Sequence, residues 1–140
     1  MPDISFKLDP RIIIGPDTVN RLGSVCAEYG NRVVLVTEQV LYENKIIDRV
    51  VQVLEDSQVE TIVFDEMPPQ ATAEIAEQVA ELARGGRCGA VISLGGIKTQ
   101  AIGRLASMLI EPGAYLFDLL DGQVPQWKCL PYIAVPTSGR

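Results

Sequence analysis

The chain has 140 residues, 47% of them apolar, a formal net charge of −6 and no histidine. That is enough for one compact domain with a single core. The 12 basic residues are scattered without a run that could track a phosphate backbone, so nucleic acid is excluded as an expected partner.

The N-terminus, Met1 to Ser5, lacks a basic segment followed by an apolar one, and no apolar stretch reaches the roughly 18 residues of a membrane span. A cytoplasmic protein with no membrane partner is expected. Ile4 to Leu8 and Arg11 to Gly15, broken by Asp9-Pro10, read as two short strands that can add to a sheet edge. Thr18 to Glu28 then places Val19, Leu22 and Cys26 on one face of a helix, with Gly30 just past its end. Arg32 to Thr37 is apolar and β-branched, which predicts a short buried strand. Asn44 to Asp56 returns to helical spacing through Ile46, Ile47, Val50, Val51 and Leu54, and Glu60 to Phe64 predicts a second buried strand.

Thr72 is placed as the N-cap of a third helix, which runs through Ile75, Ala76, Val79, Leu82 and Ala83 to a stop at Gly85-Gly86. Ala90 to Leu94 predicts a third buried strand, followed by a helix over Lys98 to Leu109 with Ala101, Ile102, Leu105, Ala106 and Leu109 at three-and-four spacing. Glu111 to Pro131 is irregular, holds three of the nine prolines and reads as a long connection to a last strand, Tyr132 to Val135. Strands alternating with helices in this way predict an α/β fold, a Rossmann-like parallel sheet with helices on both faces and short N-terminal edge strands.

In such a sheet a ligand binds beyond the carboxyl ends of the strands. Four loops lie there: Glu38-Gln39, Met67 to Gln70, Gly95 to Lys98 and Pro136 to Gly139. The pair Gly95-Gly96, between an apolar strand and an amphipathic helix, lets a backbone approach a phosphate and aim N–H groups at it; local pattern alone equally allows a plain tight turn. The loop matches neither G-x-G-x-x-G nor a P-loop, since Ile92 and Ile97 stand where the latter needs glycine. Lys98, a cation in the first turn of a helix, opposes the dipole by about 0.3 to 1 kcal/mol unless an anion lies nearby. It is open to two readings, a side chain in water or a phosphate clamp.

Glu38 follows a strand and stands where a carboxylate can accept hydrogen bonds from the two hydroxyls of an adenosine ribose, which would favour NAD over NADP. A solvated loop acid is the equal alternative. Thr137 and Ser138 can donate hydroxyls to a nucleotide or act as turn and capping residues. The missing histidine removes the commonest metal ligand and general base. No acid cluster has metal-cage spacing, so no metal ligand and no catalytic residue is assigned. Cys26, Cys88 and Cys129, odd in number and far apart, read as reduced, small buried hydrophobes.

Taken in order, several segments are similar to the N-terminal domain of the iron-containing alcohol dehydrogenases, which include glycerol dehydrogenases and are related more distantly to dehydroquinate synthases. They are Pro10 to Asp17 with Leu22-Gly23, Val34 to Glu38, Phe64-Asp65, Pro69 to Thr72, Ala90 to Gly96 and Ile133 to Gly139. The resemblance covers essentially the whole chain. It implies a dinucleotide site, NAD or NADP, in which Glu38 contacts the adenosine ribose and Gln70 lies near the cofactor. Gly95, Gly96, Ile97 and Lys98 would form the pyrophosphate loop, with Thr137 and Ser138 on the adenine side.

The family pattern G-G-G-S-x-x-D-x-A-K reads here with Ile97, Lys98, Ala101, Gly103 and Arg104 at the third glycine, serine, aspartate, alanine and lysine. The resemblance also implies that residues 1–140 are the N-terminal dinucleotide-binding domain, without the C-terminal helical domain whose aspartate and histidines hold Fe2+ or Zn2+ in the intact parent. The parent would oxidise a small alcohol or polyol and pair as a homodimer through its N-terminal strands. This chain would not be catalytic alone. The alternatives are a degenerate, non-catalytic nucleotide-binding or assembly module and a fragment of a lyase resembling dehydroquinate synthase.

Overall fold

The computed structural model describes residues 12–70, 72–110 and 128–137. In chain order it contains β1 (Ile12–Ile13), a 3-10 helix (Pro16–Arg21), α1 (Leu22–Ala27), β2 (Arg32–Val36), a 3-10 turn (Gln39–Tyr42) and α2 (Ile46–Asp56). These are followed by β3 (Glu60–Phe64), α3 (Ala73–Gly85), β4 (Ala90–Gly95), α4 (Ile97–Met108) and β5 (Tyr132–Pro136). The strands form one sheet in the order β1-β5-β4-β2-β3, and every neighbouring pair is parallel. The α/β reading of the sequence holds.

The sheet is covered on both faces at β2, β4 and β5, which is why these strands are almost continuously apolar. β3, expected to be a buried strand, is instead an edge strand whose residues are half-buried or exposed, because it has a neighbour on one side only. Val33, Leu35, Ile92, Ile133 and Val135 point to one core, where they meet Leu22 and Cys26 of α1 and Ile47, Val50 and Leu54 of α2. Val34, Val36, Val91, Tyr132 and Ala134 point to the other, against Ala76, Val79, Ala80 and Ala83 of α3 and Ile102 and Ala106 of α4. The register stacks these residues directly, with Leu35 opposite Ile92 and Ile92 opposite Ile133.

Local chemistry shifts several element ends from where periodicity alone puts them. The single helix predicted over Thr18 to Glu28 is divided, because the Thr18 hydroxyl and amide both donate to the Gly15 carbonyl, at 3.0 and 2.9 Å. Thr18 is thereby held out of helical geometry, and the α-helix begins at Leu22. α2 starts at Ile46, two residues later than the apolar pattern suggests. Lys45 is left-handed with φ 63°, and Asn44 Oδ1 accepts from the Ile46 amide at 3.1 Å. α3 begins as expected, its Thr72 side chain accepting from the Ile75 amide at 3.3 Å. Leu82, expected on the apolar stripe of that helix, is 37% exposed.

Of the two predicted N-terminal strands, the second is present as β1, the edge strand paired with β5. Ile4 to Leu8 and residues 111–127 of the predicted long connection lie outside the described residues. Among the described residues no helix is long and apolar enough to cross a membrane.

The connections fix where the sheet opens. From β2 the chain moves outward to β3 by way of α2 on the first face; from β3 it returns past β2 to β4 by way of α3 on the second face. The direction of winding therefore reverses between β2 and β4, and a crevice opens at their carboxyl ends.

Candidate functional site at the carboxyl ends of β2 and β4

Two buried threonines hold the ends of the strands in place. Thr37, fully buried, donates its amide to the Phe64 carbonyl at 2.9 Å and its hydroxyl to the Leu94 carbonyl at 2.9 Å, tying β2 to both neighbours where the strands stop. Glu38 follows and turns toward the glycine loop at the end of β4. Its Oε2 accepts from the hydroxyl of Thr99, also fully buried, at 2.7 Å and from the Gly96 amide at 3.3 Å. A carboxylate at this point faces the positive end of the α4 dipole and caps one of its four orphan amides.

Gly95 is needed at the turn. Its φ of +154° lies where side-chain-bearing residues are strained, and a Cβ there would sit 2.8 Å from Glu38 Oε2 and 3.0 Å from the Thr99 side chain. Behind the loop, the buried Tyr132 hydroxyl donates to Gln100 Oε1 at 2.6 Å. Gln100 Nε2 in turn donates to the carbonyls of Ser93 and Gly95, at 3.1 and 3.2 Å. The Thr137 amide donates to the same Gly95 carbonyl at 3.0 Å, which fixes the end of β5 against the loop.

The expected site residues thus separate into two groups. Glu38, Gly95, Gly96, Lys98 and Thr137 converge on the crevice. Ile97 projects outward and is 87% exposed, so it does not plug the crevice. Gln70 is exposed, with no side-chain hydrogen bond among the described residues, and Ser138 lies outside them.

Lys98 does not point into open water. Its half-buried ammonium donates to the Pro68 carbonyl at 2.7 Å, bridging the loop after β3 to the start of α4. Beside it, a cleft of about 350 Å³ is lined by Glu38, Gln39, Val40, Asp65, Met67 and Lys98, together with Glu66. Three carboxylates against one lysine make this cleft acidic. The Tyr42 hydroxyl donates to Asp65 Oδ2 at 2.7 Å, and this hydrogen bond raises the phenol above its ordinary pKa.

Thr99, Gln100 and Tyr132 are the residues that sequence reasoning missed. Gln100 and Thr99 carry no motif signal, and Tyr132 reads as an ordinary strand aromatic. Their roles come from the β4–β5 register and from the helical turn that follows Gly96.

Among the described residues no three His, Cys, Asp or Glu side chains gather as a metal would require. Cys26 and Cys88 do not supply reactive thiols either. Burial pushes Cys26 up to about 12 and, with burial again the main cause, Cys88 up to about 11, while Cys129 is only partly buried. The Cys26 shift carries a pH dependence with a definite sign. In the unfolded chain the thiol ionises near 9.0 and in the folded chain near 12, so its stabilising contribution is complete below pH 9 and is lost as pH rises toward 12. Cys26→Ala is expected to flatten that alkaline decline, measured as urea midpoints from pH 8 to 11, and Cys26 in the native chain should resist iodoacetamide at pH 8.

The sequence profile of the family described as iron-containing alcohol dehydrogenase matches residues 9–139. A choline dehydrogenase of Bacillus subtilis (strain 168) is 23% identical over 141 aligned positions, which take in 96% of this chain and 34% of that protein. Among solved structures, NADH-dependent butanol dehydrogenase A of Thermotoga maritima superposes with a TM-score of 0.79 at 20% identity, over 92% of this chain and 33% of that one. An iron-containing alcohol dehydrogenase of the same organism superposes with a TM-score of 0.77 at 23% identity, over 91% and 36%. This chain therefore spans about a third of the length of the relatives it matches. The match of the family profile across nearly every residue, on a doubly covered parallel sheet whose glycine turn closes β4, establishes that the chain belongs to the iron-containing alcohol dehydrogenase family.

Proposed function

We propose that this chain is the dinucleotide-binding domain of an NAD(P)-dependent oxidoreductase acting on the CH–OH group of a small alcohol or polyol. The observation that carries the reading is the meeting of Glu38 and the Gly95-Gly96 turn in the crevice where the winding of the sheet reverses. The sugar end of a dinucleotide fits this crevice: Glu38 Oε1 accepts no hydrogen bond among the described residues and is available to ribose hydroxyls. For the pyrophosphate, the amides of Ile97 and Lys98 in the first turn of α4 have no partner among the described residues. The Thr137 hydroxyl has no partner among the described residues, and on the family pattern Ser138 lies on the adenine side and Gln70 near the cofactor.

When bound, the cofactor would supply a hydride acceptor. This chain's own contribution is to bind and orient it. The family's metal does not fit these residues, because the chain has no histidine and no three-ligand cluster occurs among the described residues. In this reading the metal, and with it the alcohol, is held by residues outside this chain, in a helical second domain.

A second reading, a nucleotide-binding or assembly module without redox chemistry, is favoured by one observation: the Gly96 amide is already capped by a carboxylate. Titration of the chain with NAD, NADP, ADP-ribose and adenosine, followed by calorimetry and amide shifts, tests both. Weak NAD binding is expected, stronger than NADP, with shifts grouped at Glu38, Gly95, Gly96 and Thr137. Binding of adenosine without any gain from the diphosphate would favour the module, and silence toward every nucleotide by the folded chain would end the dinucleotide reading and leave only an assembly role.

A further inference from the structure

We propose that Glu38 is a built-in competitor for the anionic part of the ligand, its carboxylate holding the Gly96 amide beside the open Ile97 and Lys98 amides that would grip a ligand phosphate. This rests on the dinucleotide reading and specifies how the site selects among ligands. Two donors fix the carboxylate, the Thr99 hydroxyl at 2.7 Å and the Gly96 amide at 3.3 Å, and both act on the same oxygen, Oε2. Thr99 is fully buried, and Gly95 lacks a side chain at the position where a Cβ would stand 2.8 Å from that oxygen. The turn is thus shaped around Oε2, as an anion-binding turn would be shaped around a phosphate oxygen.

A phosphate and a carboxylate cannot share the Gly96 amide, since two like charges in contact repel at the partly buried end of a strand. The charges of the adjoining cleft do not cancel the repulsion: Asp65 and Glu66 line it with a single lysine, Lys98, whose ammonium donates to the Pro68 carbonyl. A phosphate that adds the Gly96 amide to the open Ile97 and Lys98 amides therefore does so only as Glu38 turns away from the loop. Its other oxygen, Oε1, is open to the ribose hydroxyls, so that one side chain acts on the neutral and the anionic parts of the ligand. Glu38 and Thr99 are positioning residues here, and the site is selective through a repulsive element as much as through attractive ones.

Calorimetric titration of the chain with ADP-ribose, inorganic pyrophosphate and adenosine tests this. Glu38→Gln keeps an oxygen for the Gly96 amide and removes the charge, so it should bind ADP-ribose and pyrophosphate about tenfold more tightly than the wild type, the scale of one charged hydrogen bond. Adenosine should show no such gain. Thr99→Val releases one of the two anchors and should tighten ADP-ribose by about threefold. Glu66→Gln, which removes a charge from the cleft without touching the loop, should gain less than Glu38→Gln. In the wild type, ADP-ribose should move the Gly96 amide and the Glu38 carboxyl carbon resonances together.

Measurable wild-type binding with no gain, or a loss, in Glu38→Gln overturns the competitor and leaves the dinucleotide reading standing. Equal gains in Glu38→Gln and Glu66→Gln also overturn it, since general charge would then explain the effect. No binding of any nucleotide by the folded wild type and variants overturns both. If circular dichroism shows Glu38→Gln unfolded, Thr99→Val carries the test with the same criteria.

Discussion

Tyr132→Ala is expected to lower the free energy of unfolding by about 3 to 5 kcal/mol, the usual range for truncating a buried aromatic ring. Tyr132 is among the largest fully buried side chains of the domain, lying on β5 against α4 and the second core. A domain of this size is stable by about 5 to 15 kcal/mol, so a loss of that order is a large fraction of the whole. Tyr132→Phe keeps the ring and removes only the hydroxyl that donates to Gln100 Oε1 at 2.6 Å, and should lose about 1 kcal/mol. Urea denaturation measures both, with the slope unchanged if only the native state is affected. A Tyr132→Phe loss as large as that of Tyr132→Ala would mean that the hydrogen bond to Gln100, not the ring, holds β5 to α4.

The second large effect is at the glycine turn. Gly95→Ala combines a backbone at φ +154°, a region reserved to glycine at about 1 to 3 kcal/mol, with a Cβ 2.8 Å from Glu38 Oε2. The turn can relieve the contact only by moving Glu38 or the start of α4. A stability loss of about 2 kcal/mol or more is therefore expected, together with a shift of the Gly96 amide resonance as its carboxylate cap is displaced. Retention of wild-type stability and of the Gly96 resonance would mean that neither the backbone nor the close approach constrains this position.

The fold was legible in the sequence wherever burial on both faces wrote itself as an unbroken apolar, β-branched run. Val33 to Val36, Ala90 to Leu94 apart from the buried polar Ser93, and Ile133 to Val135 all lie in one or other core, and their neighbours in the sheet follow from the alternation of strand and helix. Element ends were less legible, because side chains decide them one at a time: Thr18 and Asn44 each exchange a turn of helix for a local hydrogen bond. The site was legible as a set of loops but not as a set of contacts. Placing Glu38 after a strand is a matter of pattern. That its carboxylate turns inward to Thr99 and Gly96 depends on the spacing of β2 and β4 and on one rotamer, which no periodicity encodes.

Lys98 illustrates the same limit from the opposite direction. The helix-dipole argument asks for an anion or for water near its charge. The structure supplies the Pro68 carbonyl, 30 residues away in the chain, brought there by the path of the segment after β3. A neutral dipole satisfies the ammonium without neutralising it, so its charge still acts across the cleft it shares with Glu38. Nothing in the order of residues from Gly95 to Thr99 distinguishes that outcome from a clamp on phosphate.

Glu38 and Gly96 are 58 positions apart in the chain although their strands are neighbours. A crevice assembled from such distant segments exists only once β2 and β4 have zipped together over the long loop that carries β3, a slow and non-local event on the folding path. A molecule gripping both sides would therefore act as a staple across the middle of the sheet, raising the melting temperature of the domain as a unit and slowing its unfolding rather than merely quieting a surface loop. Nascent chains shorter than about this span would lack the grip altogether, which makes ligand capture a report on completed folding.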